Sequence, residues 1–504
     1  MATDTQRNPN DMVSGNTAEP TRVTTGIEAL DTILGGGLLH GRVYVVEGQT
    51  GAGKTTLALQ FLLAGRRHNE PCLLVTTSET RDELTAAAHS HGWSLAGIEV
   101  LELSQADTIA RLEQRQTVFR PSQVELDETM QAVLAALERV QPRRLVFDSV
   151  STLRYMADEP FVYQRHVLSL KHALVARGCT ALITDEQLAP QDPHLRTLAD
   201  GVVQLRREAT PFGNQRRHLE IVKMRAMDFR SGVHDVLIET GGIRVFPRFV
   251  AEPRTADYAS ETLSTGVPQL DVLLGGGLDR GSAILLMGTT GTGKSSIAMQ
   301  CAATALQRGQ AAAVFLFDEQ PPTWFYRAER LGFTLRQHTA NGSLFVQLVD
   351  PAELSPLQFA DALQQAVTQR GVQLIVIDSL TGYVNAMPNE RFLTLYLHEI
   401  LTWLSQHGTT SLLVLNQHGV FEAATRPPLD LSYLSDTLVL LRYFEYQGTI
   451  HRALSVVKRR SGPHENTIRE MHLGPHGIAV GEPLGQFRGV LSGLPVYEGG
   501  DPSG

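Results

Sequence analysis

A chain of 504 residues is longer than one hydrophobic core usually serves, and its 42% apolar and 19% charged content excludes wholesale disorder. A net charge of −9 gives no general footprint for holding a polyanion, which argues against a nucleic-acid partner. Three distant cysteines (Cys72, Cys179, Cys301) form no CxxC pair, the first 20 residues lack an apolar stretch, and no run of 18 apolar residues occurs, so a zinc module, a disulfide framework, export and membrane insertion are not expected and a reducing cytoplasm is.

Residues 1–20 read as a disordered polar tail. The pattern that follows is written twice. Thr25-Gly26-Ile27-Glu28-Ala29-Leu30-Asp31 lies against Thr265-Gly266-Val267-Pro268-Gln269-Leu270-Asp271 at an offset of 240 residues. The same offset carries Leu34-Gly35-Gly36-Gly37-Leu38 onto Leu274-Gly275-Gly276-Gly277-Leu278. In the first half an apolar run (Val43 to Glu47) is followed by a Gly-rich turn and a helix-like segment (Thr55 to Arg67). Apolar runs then recur at Cys72 to Thr76, Arg144 to Phe147 and Thr180 to Thr184, and a hairpin of His218 to Lys223 with Asp235 to Glu239 closes the half. The second half repeats this order: Ala283 to Met287, the helix Ser295 to Arg308, then Ala313 to Phe317, Leu374 to Ile377, Ser411 to Leu415, and a hairpin of Arg452 to Lys458 with Thr467 to Glu470. Continuous Val/Ile/Leu runs alternating with helices predict an α/β fold, a mostly parallel sheet covered on both faces, in two tandem domains. The expected boundaries are 21–250 and 251–491, with a tail at 492–504; the stretch from Pro247 to Ser260 breaks the periodicity between them.

Two segments satisfy GxxxxGK[ST], each between a strand and a helix. They are Gly48-Gln49-Thr50-Gly51-Ala52-Gly53-Lys54-Thr55 and Gly288-Thr289-Thr290-Gly291-Thr292-Gly293-Lys294-Ser295, with Thr56 and Ser296 completing the helix starts. Such a loop turns backbone N–H groups onto phosphate oxygens at a helix N-terminus, the lysine reaches the outer phosphates, and the Thr55 or Ser295 hydroxyl ligates Mg²⁺. ATP and Mg²⁺ are therefore the expected cofactors. Asp148 and Asp378, each ending a buried strand, are the expected second Mg²⁺ ligands, an acid in such a place otherwise serving as a helix cap. Glu79 and Glu319, at the ends of the second strands, are candidates to orient water, or else cap the following helices. Ser78 precedes one and Asp318 the other. Only five lysines occur, and four are repeat-matched: Lys54 with Lys294, and Lys223 with Lys458. Lys223 with Arg225 and Lys458 with Arg460 read either as solvated surface pairs or as fingers that cross to a neighbouring subunit's terminal phosphate. The fifth, Lys171, reads as a surface residue.

In this order, the LGGGL segment, P-loop, acidic pair, Asp-Ser strand end and VKxR hairpin resemble the KaiC family of RecA-like ATPases, across both halves from about Thr24 to Tyr497. The resemblance implies two tandem RecA-like P-loop domains in a homohexamer, with ATP between neighbouring subunits, slow hydrolysis in the first half and, in circadian members, autophosphorylation of the second. It assigns the fingers to Lys223, Arg225, Lys458 and Arg460, and the water-orienting acids to Glu79, Asp318 and Glu319. Departures stand out. Clock members have two glutamates where this chain has Ser78-Glu79 and Asp318-Glu319, and adjacent Ser and Thr acceptors where it has Ser432-Tyr433, which leaves Ser432 as the phosphoacceptor to test. Only nine residues follow Pro495, so the long tail that clock members offer an activating partner is nearly missing.

Three functions compete at this level. The first is a ring ATPase with serine autokinase activity in the second half, a signalling or timing switch with an unidentified protein partner. The second is an ATPase whose nucleotide state controls assembly alone. The third, a DNA-dependent RecA-like ATPase, is opposed by the acidic charge.

Overall fold

The computed structural model describes residues 21–103, 121–157, 159–186, 193–209, 213–251, 261–385, 390–417, 433–490 and 495–498. The chain divides into two compact units, one formed by residues 1–210 and 215–248 and the other by 211–214 and 249–504.

The first unit is built on nine strands: β1 (Val43–Gly48), β2 (Cys72–Thr76), β3 (Glu99–Glu102), β4 (Arg144–Asp148), β5 (Thr180–Glu186), β6 (Gly201–Glu208), β7 (Arg216–Met224), β8 (Val233–Glu239) and β9 (Gly242–Phe246). They form one sheet in the order β9-β8-β7-β6-β1-β5-β4-β2-β3. The six strands from β6 to β3 are parallel, while β7, β8 and β9 continue the sheet antiparallel. Alternate residues of the central strands feed two separate cores. Tyr44, Val46, Leu74, Val146 and Leu182 pack on one face, and Val43, Val45, Leu73, Val75, Phe147 and Ile183 on the other. A strand covered on both sides has no polar face, which is why these runs read as continuously apolar.

The second unit repeats the plan with β10 (Ala283–Gly288), β11 (Ala311–Leu316), β12 (Leu344–Leu348), β13 (Val372–Asp378), β14 (Thr410–Asn416), β15 (Thr437–Tyr446), β16 (Thr449–Arg459), β17 (Arg469–Gly474) and β18 (Gly477–Pro483). Its sheet order, β12-β11-β13-β14-β10-β15-β16-β17-β18, matches the first strand for strand. These are two tandem RecA-like α/β domains, as the repeat predicts. The order places β1 and β10 at the centre, where successive connections leave to opposite sides; the crevice at the carboxyl end of such a strand is where α/β sheets bind ligands.

No helix among the described residues is long and apolar enough to cross a membrane. The three cysteines are free and buried. Ser432 lies outside the described residues. Lys171 departs from its expected surface place: its ammonium donates to Leu198 O at 2.6 Å and to Asp200 Oδ1 at 3.0 Å, and the side chain is largely covered. Asp200 also accepts from the Val43 amide at 3.1 Å and so ties Lys171 to the start of the central strand.

Candidate nucleotide sites

Each central strand runs straight into its P-loop. Helices α1 (Lys54–Arg67) and α3 (Lys294–Gln307) begin immediately after Gly53 and Gly293, which hold left-handed φ of 107° and 105°. A side chain is disfavoured at both by the backbone angle, and a Cβ, 2.7 Å from Ile238 Cδ1 in one half and 2.6 Å from Met471 Cε in the other, would also push those side-chain ends aside. Thr50, Gly51, Thr290 and Gly291 lie exposed at the loop tips, whereas Ala52 and Thr292 are fully buried beneath them. Thr292 Oγ1 donates to Thr289 O at 2.8 Å and braces the second loop internally. Thr56 is half-buried and Ser296 buried in the first turns.

The lysine of each loop is buried. Lys54 donates to Gly48 O at 2.9 Å and Gln49 O at 3.1 Å, and Lys294 to Thr289 O at 2.7 Å. Burial pushes both ammonium groups below the usual lysine range, Lys294 to about 8, against the pull of Asp378. For Lys54 the opposing carboxylates are Glu186, Asp148 and Asp185. A poorly solvated cation whose hydrogen bonds, among the described residues, go to carbonyl oxygens is prepared for an anion.

The expected metal ligands are brought together in both halves. Thr55 Oγ1 donates to Asp148 Oδ2 at 2.7 Å, and Ser295 hydrogen-bonds Asp378. A hydroxyl and a carboxylate meeting beside a buried lysine fit Mg²⁺ between P-loop and strand end, with the phosphates of a nucleotide on the loop amides. The surroundings differ. Asp148 receives a second hydroxyl, from Thr184; at the matching position of the second sheet stands Val414, aligned with Leu286 as Thr184 is with Val46. Asp378 is held above the usual carboxylate range by burial, and Asp318 adds to this while Ser295, Arg327 and Lys294 oppose it.

Glu79 and Glu319 are half-buried beside these aspartates, and neither caps a helix. Thr80 caps α2 (Arg81–Ser90) in a reciprocal box with Glu83, and Gln320 occupies the N-cap of α4 (Pro321–Arg330). Burial raises both carboxyls, with Asp148 and Glu83 adding to the rise at Glu79. At Glu319 a cation intervenes, since Arg327 Nη2 lies 2.8 Å from its Oε2. Asp318 is engaged as well, accepting from the Ser379 hydroxyl.

The four finger candidates are not gathered at the P-loop of their own half. Lys223 is paired across the sheet with Val202, which is paired with Val45 near the start of β1. Its ammonium donates to Arg196 O and Ala199 O, both at 2.8 Å, and Arg225 Nη2 donates to Thr197 O at 3.0 Å. In the second unit Lys458 donates to Ser435 O and Arg460 to Tyr433 O, each at 2.7 Å. What does reach the loop was missed from sequence: Arg217 Nε donates to Gly51 O and Arg452 Nε to Gly291 O, both at 3.4 Å. The offset of 235 residues that pairs Lys223 with Lys458 also pairs Arg217 with Arg452, so the repeat carried that signal.

A family model described as "ATPase: KaiC" matches twice, over residues 23–249 and 263–485. The chain belongs to the KaiC ATPase family. Among KaiC relatives, the circadian clock oscillator protein KaiC of Acaryochloris marina is 27% identical over 493 residues, covering 95% of this chain and 92% of the relative. Its namesakes from Picosynechococcus sp. and Synechococcus elongatus are each 27% identical over 482 residues, covering 94% of this chain and 92% of theirs. Both halves thus belong to one ATPase family, and the two KaiC matches coincide with the two P-loop sheets.

Proposed function

We propose that both halves bind ATP with Mg²⁺ and hydrolyse it at subunit interfaces of a homohexamer, and that the second half also transfers the γ-phosphoryl group to Ser432, making the protein a signalling or timing switch. The observation that carries the nucleotide reading is the matched contact of the P-loop hydroxyl with the strand-end aspartate, Thr55 with Asp148 and Ser295 with Asp378, each beside a buried lysine. In this reading the loop amides and Lys54 or Lys294 hold the phosphates. Thr55 with Asp148, or Ser295 with Asp378, would hold Mg²⁺, which would supply charge neutralisation at the phosphates. Glu79 orients the attacking water in the first half; in the second, Glu319 with Asp318 acts on water or on the accepting hydroxyl. The name of the relatives, circadian clock oscillator protein, supports a timing role for this family without fixing the output of this chain.

One observation favours a second reading, an ATPase that switches assembly without phosphorylating itself. Both acids of the second half already have partners, Asp318 in Ser379 and Glu319 in Arg327. Incubation with γ-labelled ATP followed by mass mapping separates the two. Label retained on the wild type and absent from Ser432→Ala supports the autokinase; release of phosphate with no label on the chain leaves the assembly switch. The nucleotide reading itself fails if Lys54→Ala with Lys294→Ala still binds ATP with unchanged affinity.

A further inference from the structure

The two units place their third structural layer in matching register. On α2 the buried residues are Leu84 and Ala88, and on α4 the residues 240 positions later, Trp324 and Ala328, are buried in turn. The same register sets Ala87 of α2 against Arg327 of α4, both half-buried. One half therefore carries alanine at the helix position where the other carries a guanidinium that reaches its candidate glutamate.

That guanidinium is unusually placed. Its Nη2 is 2.8 Å from Glu319 Oε2, yet neither Nη2 nor Nε, both buried, is aligned for a hydrogen bond. Arg327 also acts on Asp378 across the site, as does Lys294. A buried donor without an acceptor is costly unless its charge is compensated, and here Glu319 supplies the compensation. Among the described residues no ion pair reaches Glu79.

We propose that Arg327 is a positioning residue peculiar to the second half, which holds the Glu319 carboxylate by charge and so restrains it from accepting a proton from the nucleophile, making the second site the slower, nucleotide-retaining one. This rests on the reading that Glu79 and Glu319 activate the nucleophile. A carboxylate facing a guanidinium is a weaker base, so removal of the cation frees it for water. Alanine is an acceptable replacement in this helix, because the first half already carries it at the matching place.

The test is phosphate release from the full-length chain with the first half silenced by Glu79→Gln. Adding Arg327→Ala is expected to raise kcat about tenfold with the KM for ATP changed by less than about twofold, whereas Arg327→Lys, which keeps the charge, stays close to the Glu79→Gln parent. In the reverse graft, Ala87→Arg in a Glu319→Gln background should slow the first half by a similar factor. A kcat that is unchanged or lowered by Arg327→Ala, or a change confined to KM, overturns the restraint. Should Glu79→Gln with Glu319→Gln still turn over ATP at the wild-type rate, the fault lies instead with the glutamate reading beneath it.

Discussion

Asp148 and Asp378 end equivalent strands and meet equivalent P-loop hydroxyls, yet among the described residues only Asp148 is held by a second one. Thr184 is fully buried and donates to the carboxylate oxygen that Thr55 leaves open, fixing the group in two directions. Partners of this kind orient a metal-binding carboxylate, and losing one commonly costs about tenfold in metal affinity or activity. On the proposed Mg²⁺ role, Thr184→Val should raise the Mg²⁺ concentration needed for half-maximal first-half turnover about tenfold, measured with the second half silenced by Glu319→Gln. Val414→Thr should lower the corresponding requirement of the second half. A Mg²⁺ curve unmoved by Thr184→Val would reduce Thr184 to packing. The aspartates were legible in the sequence because an acid ending an apolar strand after a P-loop is rare; Thr184 was not, because a threonine at a strand end reads as ordinary β propensity. Only the mismatch with Val414 at the same repeat position could have raised the question.

At the level of elements, the buried parallel strands were legible and their margins were not. The run expected at Ala313 to Phe317 is in fact Ala311–Leu316. Pairing with Val372 and Leu374 draws two alanines of low β propensity into the sheet, while Phe317 leaves it to pack edge-on against Phe359 and Tyr383. The outer strands Glu99–Glu102 and Leu344–Leu348 went unnoticed, since short, half-polar edges carry little pattern. Nor did the sequence disclose what fastens the start of β8. His234 is fully buried, with its Nδ1 accepting from the Arg248 amide at 2.8 Å and its Nε2 donating to Arg230 O at 3.1 Å, an arrangement that needs the neutral ring. Burial, aided by Arg230 and Arg248 and opposed by the Arg230 carbonyl and Asp235, pushes its pKa down from 6.5 to about 4. Between these values the unfolded chain binds a proton that the folded chain refuses. Stability is therefore complete above about pH 6.5 and falls as pH drops, by about 3 kcal/mol once below about pH 4. Hydrogen exchange in β7 and β8 should accelerate over that window, and His234→Asn should flatten the dependence; equal acid sensitivity in the variant would exclude His234 as its source.

On the scale of the whole molecule, duplication was the most legible feature, because two P-loops in register leave little room for chance. The destination of the matched lysines was not legible, since a sequence offset does not say which end of a strand a residue occupies. In the structure β7 carries cations at both ends, Arg217 at the P-loop carbonyl and Lys223 beside the residues that start the parallel strands. Six residues of extended chain separate them, roughly 20 Å, so one strand cannot deliver both groups to the same phosphate. If Lys223 serves hydrolysis, it serves a neighbouring subunit's nucleotide, and a defect in it must be curable from outside. With Glu319→Gln present throughout, Lys223→Ala should lower first-half turnover on the order of a hundredfold while leaving ATP binding intact. Glu79→Gln should be equally inactive. Co-assembled in equal amounts, the two inactive chains should recover about a quarter of the normal rate, because about that share of interfaces joins an intact Glu79 to an intact Lys223 in a randomly mixed ring. Mixtures as inactive as their components, in rings shown by mass to contain both chains, would place Lys223 outside the reaction.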